Sequence, residues 1–191
     1  MNMRPYEEDI RRSVEVLREG GVILYPTDTI WGLGCDASLA SAVQRIHRIK
    51  RRPPGKSYII LLSASLLPRY VPSLPAAVRQ RMADADRPTT FVLSGVVGVT
   101  DEVRAPDGTV AVRLPRDAFC RDLLEAAERA IVSTSANPAG APPPAHFGEI
   151  DEAIISGADY VVSWRRDDRT PTQPSRIVRI LPDGSEEIIR E

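Results

Sequence analysis

The sequence predicts a single α/β domain spanning residues 1–191 and built on a mixed sheet. Three observations lead there. A chain of 191 residues suits one domain with a core that needs no metal or disulfide. Amphipathic helical stretches are interleaved with short runs of Val, Ile and Leu. Those runs do not alternate with helices as strictly as in a doubly wound fold, so a mixed sheet is expected. Apolar residues make up 42% and aromatics only 5%, so the core is aliphatic.

The elements follow in order. Residues 6–18 place Ile10, Val14 and Leu17 on one helical face, and Gly20-Gly21 supplies the stop. Residues 22–25 read as a buried strand. Ser38 is placed to cap a second helix with Leu39, Val43, Ile46 and Ile49 along its inner stripe, ended by Pro53-Pro54-Gly55. Residues 57–62 form a strand, and 75–84 a helix opened by Pro75. Residues 89–93 and 109–114 are strands separated by a loop holding Pro106-Asp107-Gly108. Residues 116–130 align Phe119, Leu123 and Ala127 on a helix, and a strand begins at Ile131. Residues 147–157 suit a short helix and 159–164 a strand. Finally, Pro182-Asp183-Gly184-Ser185 between two apolar runs signals a hairpin.

Several classes are excluded or disfavoured. Cys35 and Cys120 make no disulfide framework and no metal spacing. The first residues mix acids and bases and lack a signal peptide's apolar stretch. No window approaches the roughly 20 apolar residues of a membrane span. A cytoplasmic protein with no membrane contact is expected. The net charge of -1 argues against a strongly basic nucleic-acid binder. Positive charge is instead local: Arg45, Arg48, Lys50, Arg51, Arg52 and Lys56 occur within residues 45–56 with no acid among them.

Four segments are able to carry chemistry. "YPTDTIWGLG" leaves a strand into Thr27, Asp28 and Thr29, followed by Gly32 and Gly34, which permit close backbone approach. Its plain alternative is a turn whose threonines bond their own backbone. "IKRRPPGK" offers a forked donor and a point charge for an anion, unless it is only a solvated helix face. "TVAVRLP" puts Thr109, Ala111 and Arg113 on one strand face, which on its own is compatible with an ordinary surface. "STSANPAG" presents Ser133, Thr134, Ser135 and Asn137 at a strand exit, a neutral hydrogen-bonding cluster or a capped turn. His47 and His146 have no acid or nucleophile partner by spacing, and Cys35 reads as an inert buried thiol.

Taken in this order, and with "PSRIV" near the end, the motifs resemble the YrdC-like family of threonylcarbamoyl-AMP synthases. The resemblance covers about residues 8–190 and leaves no further domain, as in the short form of the family. It implies a twisted open α/β sheet flanked by helices around a positively lined groove. It implies synthesis of threonylcarbamoyl-adenylate from L-threonine, bicarbonate and ATP, with Mg2+ carried by the ATP. Partner enzymes then transfer the threonylcarbamoyl group to tRNA. By the same resemblance Lys50 and Arg52 are the catalytic Lys-x-Arg pair. Lys56, Thr109, Ser135, Asn137 and Arg190 join that pair in binding ATP, and Thr29, Arg113, Ser135 and Ser175 bind threonine. The methyl group of threonine would be read by Trp31 or Leu33. Trp31, Ser57, Leu61 and Ala145 depart from the family pattern, as does the stretch "ADRPTTFVL". Two other readings are compatible with the motifs: an RNA-binding module without catalysis, and a related carbamoyl-adenylate-forming enzyme with another acceptor. Weak RNA contact through the basic run fits either an enzyme or a binder.

Overall fold

The computed structural model describes residues 4–53, 57–170 and 172–191. Helix α1 (Glu7–Arg18) buries Val14 and Leu17 and places three carboxylates in its first turn, at the positive end of the helix dipole. One of them, Asp9, is buried and accepts hydrogen bonds from the Tyr160 hydroxyl, the Ser163 amide and hydroxyl, and the Trp164 amide. Burial alone would push its carboxyl up, but those donors hold it below the usual carboxylate range.

Strand β1 (Ile23–Tyr25) turns back into β2 (Gly32–Gly34), with Ile23 opposite Gly34 and Tyr25 opposite Gly32. The sequence reading treats 26–34 as a loop, because glycine is depleted in strands. The structure shows why one glycine is required: a Cβ on Gly34 would lie 2.7 Å from the Tyr25 ring and 2.8 Å from the Val132 carbonyl oxygen. The close approach is therefore to the chain's own core. Helix α2 (Ala40–Lys50) buries Val43 and Ile46 as expected, but Leu39 occupies the cap position. Ser38 instead donates its hydroxyl to Asp36. Arg51 ends the helix in the left-handed conformation (φ 50°), which turns Arg52 away from the helix axis.

Next come β3 (Ile59–Leu61), the short α3 (Leu67–Tyr70) with no forecast counterpart, α4 (Ala76–Asp84) and β4 (Thr89–Leu93). Pro75 stands one position before α4 rather than in its first turn. Strand β5 (Val110–Arg113) precedes α5 (Ala118–Ala127), whose N-cap Asp117 accepts the Cys120 amide at 3.0 Å. Then follow β6 (Ile131–Ser135), a 3₁₀ turn at Phe147–Glu149, α6 (Glu152–Gly157) and a two-residue β7 (Tyr160–Val161). β8 (Arg176–Ile180) and β9 (Glu186–Arg190) make the expected hairpin. Its turn is held by Asp183 accepting from the Ser185 amide and hydroxyl, with Gly184 at φ 81°.

Nine strands form a mixed sheet in the order β7-β1-β2-β6-β3-β5-β4-β8-β9. Strand β6 joins its two parts: Ser135 and Thr134 pair with β2, while Ser133, Val132 and Ile131 pair with β3. Cross-strand partners share a face. The registers therefore line up Arg179, Val92, Ala111, Ile59 and Ser133 as one row across five strands. The adjacent row runs Ile177, Thr90, Arg113, Leu61 and Ile131.

Candidate active site

The first of these rows is the floor of a cavity of ≈ 670 Å³. Its lining includes four arginines, Arg52, Arg113, Arg179 and Arg190, and no Asp or Glu among the described residues. Asp28 and Asp107 lie 3.4 Å from Arg113 and 3.8 Å from Arg179 but outside the lining, so the face turned to the cavity is positive and suits an anionic ligand.

On one side the loop after β1 builds a neutral pocket. Arg113 Nη1 donates to Thr29 Oγ1 at 3.0 Å, and Thr27 Oγ1 donates to the Ile30 carbonyl at 2.8 Å. The contact between the two threonine hydroxyls, at 3.0 Å, must then be Thr29 donating to Thr27. The proton direction is fixed along the whole chain from Arg113 to Ile30. Asp28 Oδ1 lies 3.4 Å from Arg113 Nη2, while its Oδ2 accepts the Arg116 amide at 3.1 Å. Arg113 is only 4% exposed and its Nε–H has no protein partner. Its strand neighbour Thr109 stands at the rim, with its hydroxyl proton given to Asp107 at 2.6 Å. Trp31 lines the cavity with its ring 4.9 Å from that of Phe147. Leu33 follows the cavity-lining Gly32 in an alternating strand, points the other way, and is a fully buried core residue.

On the opposite side, the end of α2 meets the loop after β6. Lys50 is 2% exposed and does not line the cavity. Its ammonium donates to the carbonyls of Ser135 and, at 2.6 Å, Asn137, and its own carbonyl accepts the Ala139 amide. Burial, then the neighbouring Arg52, pull its pKa down to about 8. Asn137 donates its amide to the Pro138 and Ala141 carbonyls, leaving a buried Oδ1 without a protein partner. Arg52 turns into the cavity. One nitrogen donates to the Ser57 carbonyl at 2.7 Å, and its guanidinium lies 4.4 Å from the centre of the Tyr58 ring.

The hairpin closes the third side. Ser175 is buried with its hydroxyl 2.8 Å from that of Thr90, and its carbonyl accepts two N–H groups of Arg190. Burial and then the charge of Arg113 hold Arg190 below the usual arginine range. Lys50 with Arg52, and Arg113 with Arg190, are thus two cation pairs in mutual repulsion, which an anion between them would relieve.

Of the residues singled out by sequence, Thr29, Arg52, Thr109, Arg113, Ser135, Asn137, Ser175 and Arg190 all line this one cavity. Lys50 lies behind the wall, and Lys56 falls outside the described residues. Of the departures from the family pattern, Ser57 lines the cavity and holds Arg52, Leu61 is buried, and Ala145 edges a small side pocket next to Trp31. Arg179 and Tyr58 line the cavity without having been singled out. Period-2 counting from Ser175 through Ile177 reaches Arg179, whereas Tyr58 carries no such signal. The rest of the basic run is dispersed: Arg45 pairs with Asp159, and of its described cations only Arg48 and Arg51 are exposed. Both cysteines are buried with thiols pushed up by burial, which makes them poor nucleophiles. Among the described residues no group of three His, Cys, Asp or Glu side chains is arranged to hold a metal, and no helix is long and apolar enough to cross a membrane.

Comparison with known proteins bears on the whole chain. Residues 15–191 match the Sua5/YciO/YrdC family model, described as telomere recombination. The chain is 37% identical to a threonylcarbamoyl-AMP synthase of Xanthomonas euvesicatoria over 158 residues, covering 81% of this chain and 84% of that protein. It is 32% identical to one from Acinetobacter baumannii over 180 residues, covering 90% and 94%. Among solved structures, P. abyssi Sua5 complexed with L-threonine superposes with a TM-score of 0.83 at 27% identity, covering 98% of this chain. This chain spans 55% of that protein's length. E. coli YciO superposes at 0.81 with 27% identity, covering 98% of this chain and 91% of its own.

Proposed function

The chain belongs to the Sua5/YciO/YrdC family, and from that premise we propose that it joins L-threonine, bicarbonate and ATP into threonylcarbamoyl-AMP, releasing pyrophosphate. The observation that supports this reading is the cavity's charge: among the described residues the lining has four guanidiniums and no carboxylate, beside a pocket of neutral hydroxyls. A triphosphate and an amino-acid carboxylate are the anions such a wall accommodates.

In this mechanism the threonine amine adds to bicarbonate and water leaves, giving a carbamate. A carbamate oxygen attacks the α-phosphorus, the bond from that phosphorus to the bridging oxygen breaks, and pyrophosphate departs. The protein's part is to hold two anions in line and spread their charge. Arg52, with Ser135 and Asn137, faces the triphosphate, and Lys56 joins them by the family resemblance. Arg113 and Thr29 face the threonine carboxylate. Thr109 and Arg190 flank the nucleotide, and Ser175 sets the Arg190 side chain through its carbonyl. Lys50 is a positioning residue: two of its three donors hold the Ser135–Asn137 backbone. ATP brings Mg2+, which neutralises phosphate charge when bound. An arginine-lined cavity fits an anion already carrying its cation better than a bare metal ion. The product passes to partner enzymes that modify tRNA. Two free buried thiols suit the reducing cytoplasm.

Exchange of labelled pyrophosphate into ATP tests the reading. Exchange should require threonine and bicarbonate together. Exchange that persists without threonine would assign a different acceptor, and no exchange under any combination would remove adenylate formation altogether.

A further inference from the structure

Arg52 is a half-buried cation with no carboxylate among its contacts with the described residues: one nitrogen is on the Ser57 carbonyl, and Nε has no partner among those residues. Burial holds its pKa below the usual arginine range, and Tyr58 is the group that opposes this effect. What lies beneath the guanidinium is an aromatic face. The Tyr58 ring is buried, its centroid 4.4 Å from the Arg52 carbon centre, and it also packs in a T-shaped arrangement with the His47 ring, centroids 5.0 Å apart. Its backbone is fixed by the Val103 carbonyl at 3.1 Å. The hydroxyl of Tyr58 makes no hydrogen bond, so the ring and not the oxygen accounts for the residue's position.

We propose that Tyr58 is a positioning residue that presents Arg52 to the triphosphate as an uncharged counter-group. The reason is electrostatic. A carboxylate under Arg52 would orient it equally well, but it would neutralise the guanidinium and repel the incoming phosphates. A ring quadrupole attracts the cation with no net charge of its own. It leaves the full positive charge facing the cavity while replacing part of the hydration lost on burial. Stacking also leaves the in-plane N–H groups free to point at phosphate oxygens. Arg52 differs in this from Arg113 and Arg179, which have Asp28 at 3.4 Å and Asp107 at 3.8 Å.

This inference rests on the assignment of Arg52 to the triphosphate, and a double-mutant cycle separates the two. The probes are pyrophosphate and ATP, with binding read by calorimetry and turnover by initial rates. Arg52→Ala should weaken both ligands. Tyr58→Leu should weaken pyrophosphate and ATP by about 2- to 30-fold, the range of a cation–π contact, with the Michaelis constant for threonine unchanged. Tyr58→Phe should restore parental affinity. In the Arg52→Ala background, Tyr58→Leu should add nothing, because the ring acts through the arginine. If Arg52→Ala leaves pyrophosphate binding intact, the triphosphate assignment fails and this inference with it. If Arg52→Ala weakens binding but Tyr58→Leu does not, or if the two effects simply add, Tyr58 has no part in presenting Arg52.

Discussion

Arg113 Nη1 donates to the hydroxyl of Thr29 at 3.0 Å, joining β5 to the loop after β1 in the lining of the cavity. The same guanidinium has Asp28 Oδ1 at 3.4 Å, so on the proposed assignment the threonine carboxylate would share Arg113 with an internal acid. That arrangement makes the arginine's loss doubly unfavourable for threonine. Arg113→Ala removes the charge-assisted donor and leaves Asp28 as an uncompensated negative group. The Michaelis constant for threonine should rise about 10- to 100-fold, given the worth of hydrogen bonds to charged groups, with that for ATP changing less. Titrating each substrate at saturation of the other reads the ranking, and the reverse ranking would move the threonine carboxylate elsewhere.

Lys50 provides a proton signature. Its pKa of about 8 reflects burial and the charge of Arg52. A bound anion favours the ammonium and raises that value. Near pH 8 pyrophosphate binding should therefore take up roughly half a proton beyond the ligand's own contribution, and near pH 6 none. Calorimetry in buffers of different ionisation enthalpy measures the uptake. Lys50→Met should abolish the pH-dependent part. It should also weaken ATP, since the Ser135–Asn137 backbone loses its ammonium contact.

Trp31 lines the cavity, whereas Leu33 is in the core. The two aromatic or aliphatic candidates for reading the substrate methyl are thus separable. A single methyl in an apolar pocket is worth about 10- to 200-fold in discrimination, and threonine should exceed serine by that order in kcat/KM. Trp31→Ala should collapse the ratio towards unity. Leu33→Ala should lower Tm by creating a core cavity while keeping the ratio. A ratio unchanged by Trp31→Ala would place the methyl away from the loop after β1.

Contact with RNA should be weak. In the basic run only Arg48 and Arg51 are exposed cations among the described residues, and Arg45 is paired with Asp159. Two phosphate contacts correspond to a slope of about −2 in log affinity against log salt. A much steeper slope in filter binding with tRNA would show that another face of the molecule carries the charge.

Much of this architecture was legible in the sequence where one periodicity dominates. The helices of residues 7–18 and 118–127 declare their inner faces, and the Pro-Asp-Gly-Ser turn declares the last hairpin. Strand β2 was not legible. Gly32-Leu33-Gly34 has poor strand propensity, and the demand for Gly34 comes from Tyr25 and Val132, which only tertiary structure brings near. The four-residue α3 was hidden among loop signals for a similar reason: Leu67 and Tyr70 are buried only in the folded chain. At the site, motifs located Arg52, Arg113 and Ser135, but charge runs overstated exposure. Lys50 and Arg45 belong to one basic stretch in sequence, yet one is buried against carbonyls and the other neutralised on the surface. Tyr58 had no sequence signal because its part depends on stacking, which has no spacing rule.

The seam made by β6 has a consequence for how the protein comes into being. One half of that strand pairs with Gly32 and Leu33, the other with Ile59, Ile60 and Leu61, and both partnerships span long stretches of chain. Contacts so distant in sequence form slowly, because loop closure precedes their reward. The cavity's two sides meet at this strand, so no early fragment holds a working site. Ligand affinity arises only when the sheet has closed along its full width, and ligand protection against a denaturant pulse would time that closure during refolding.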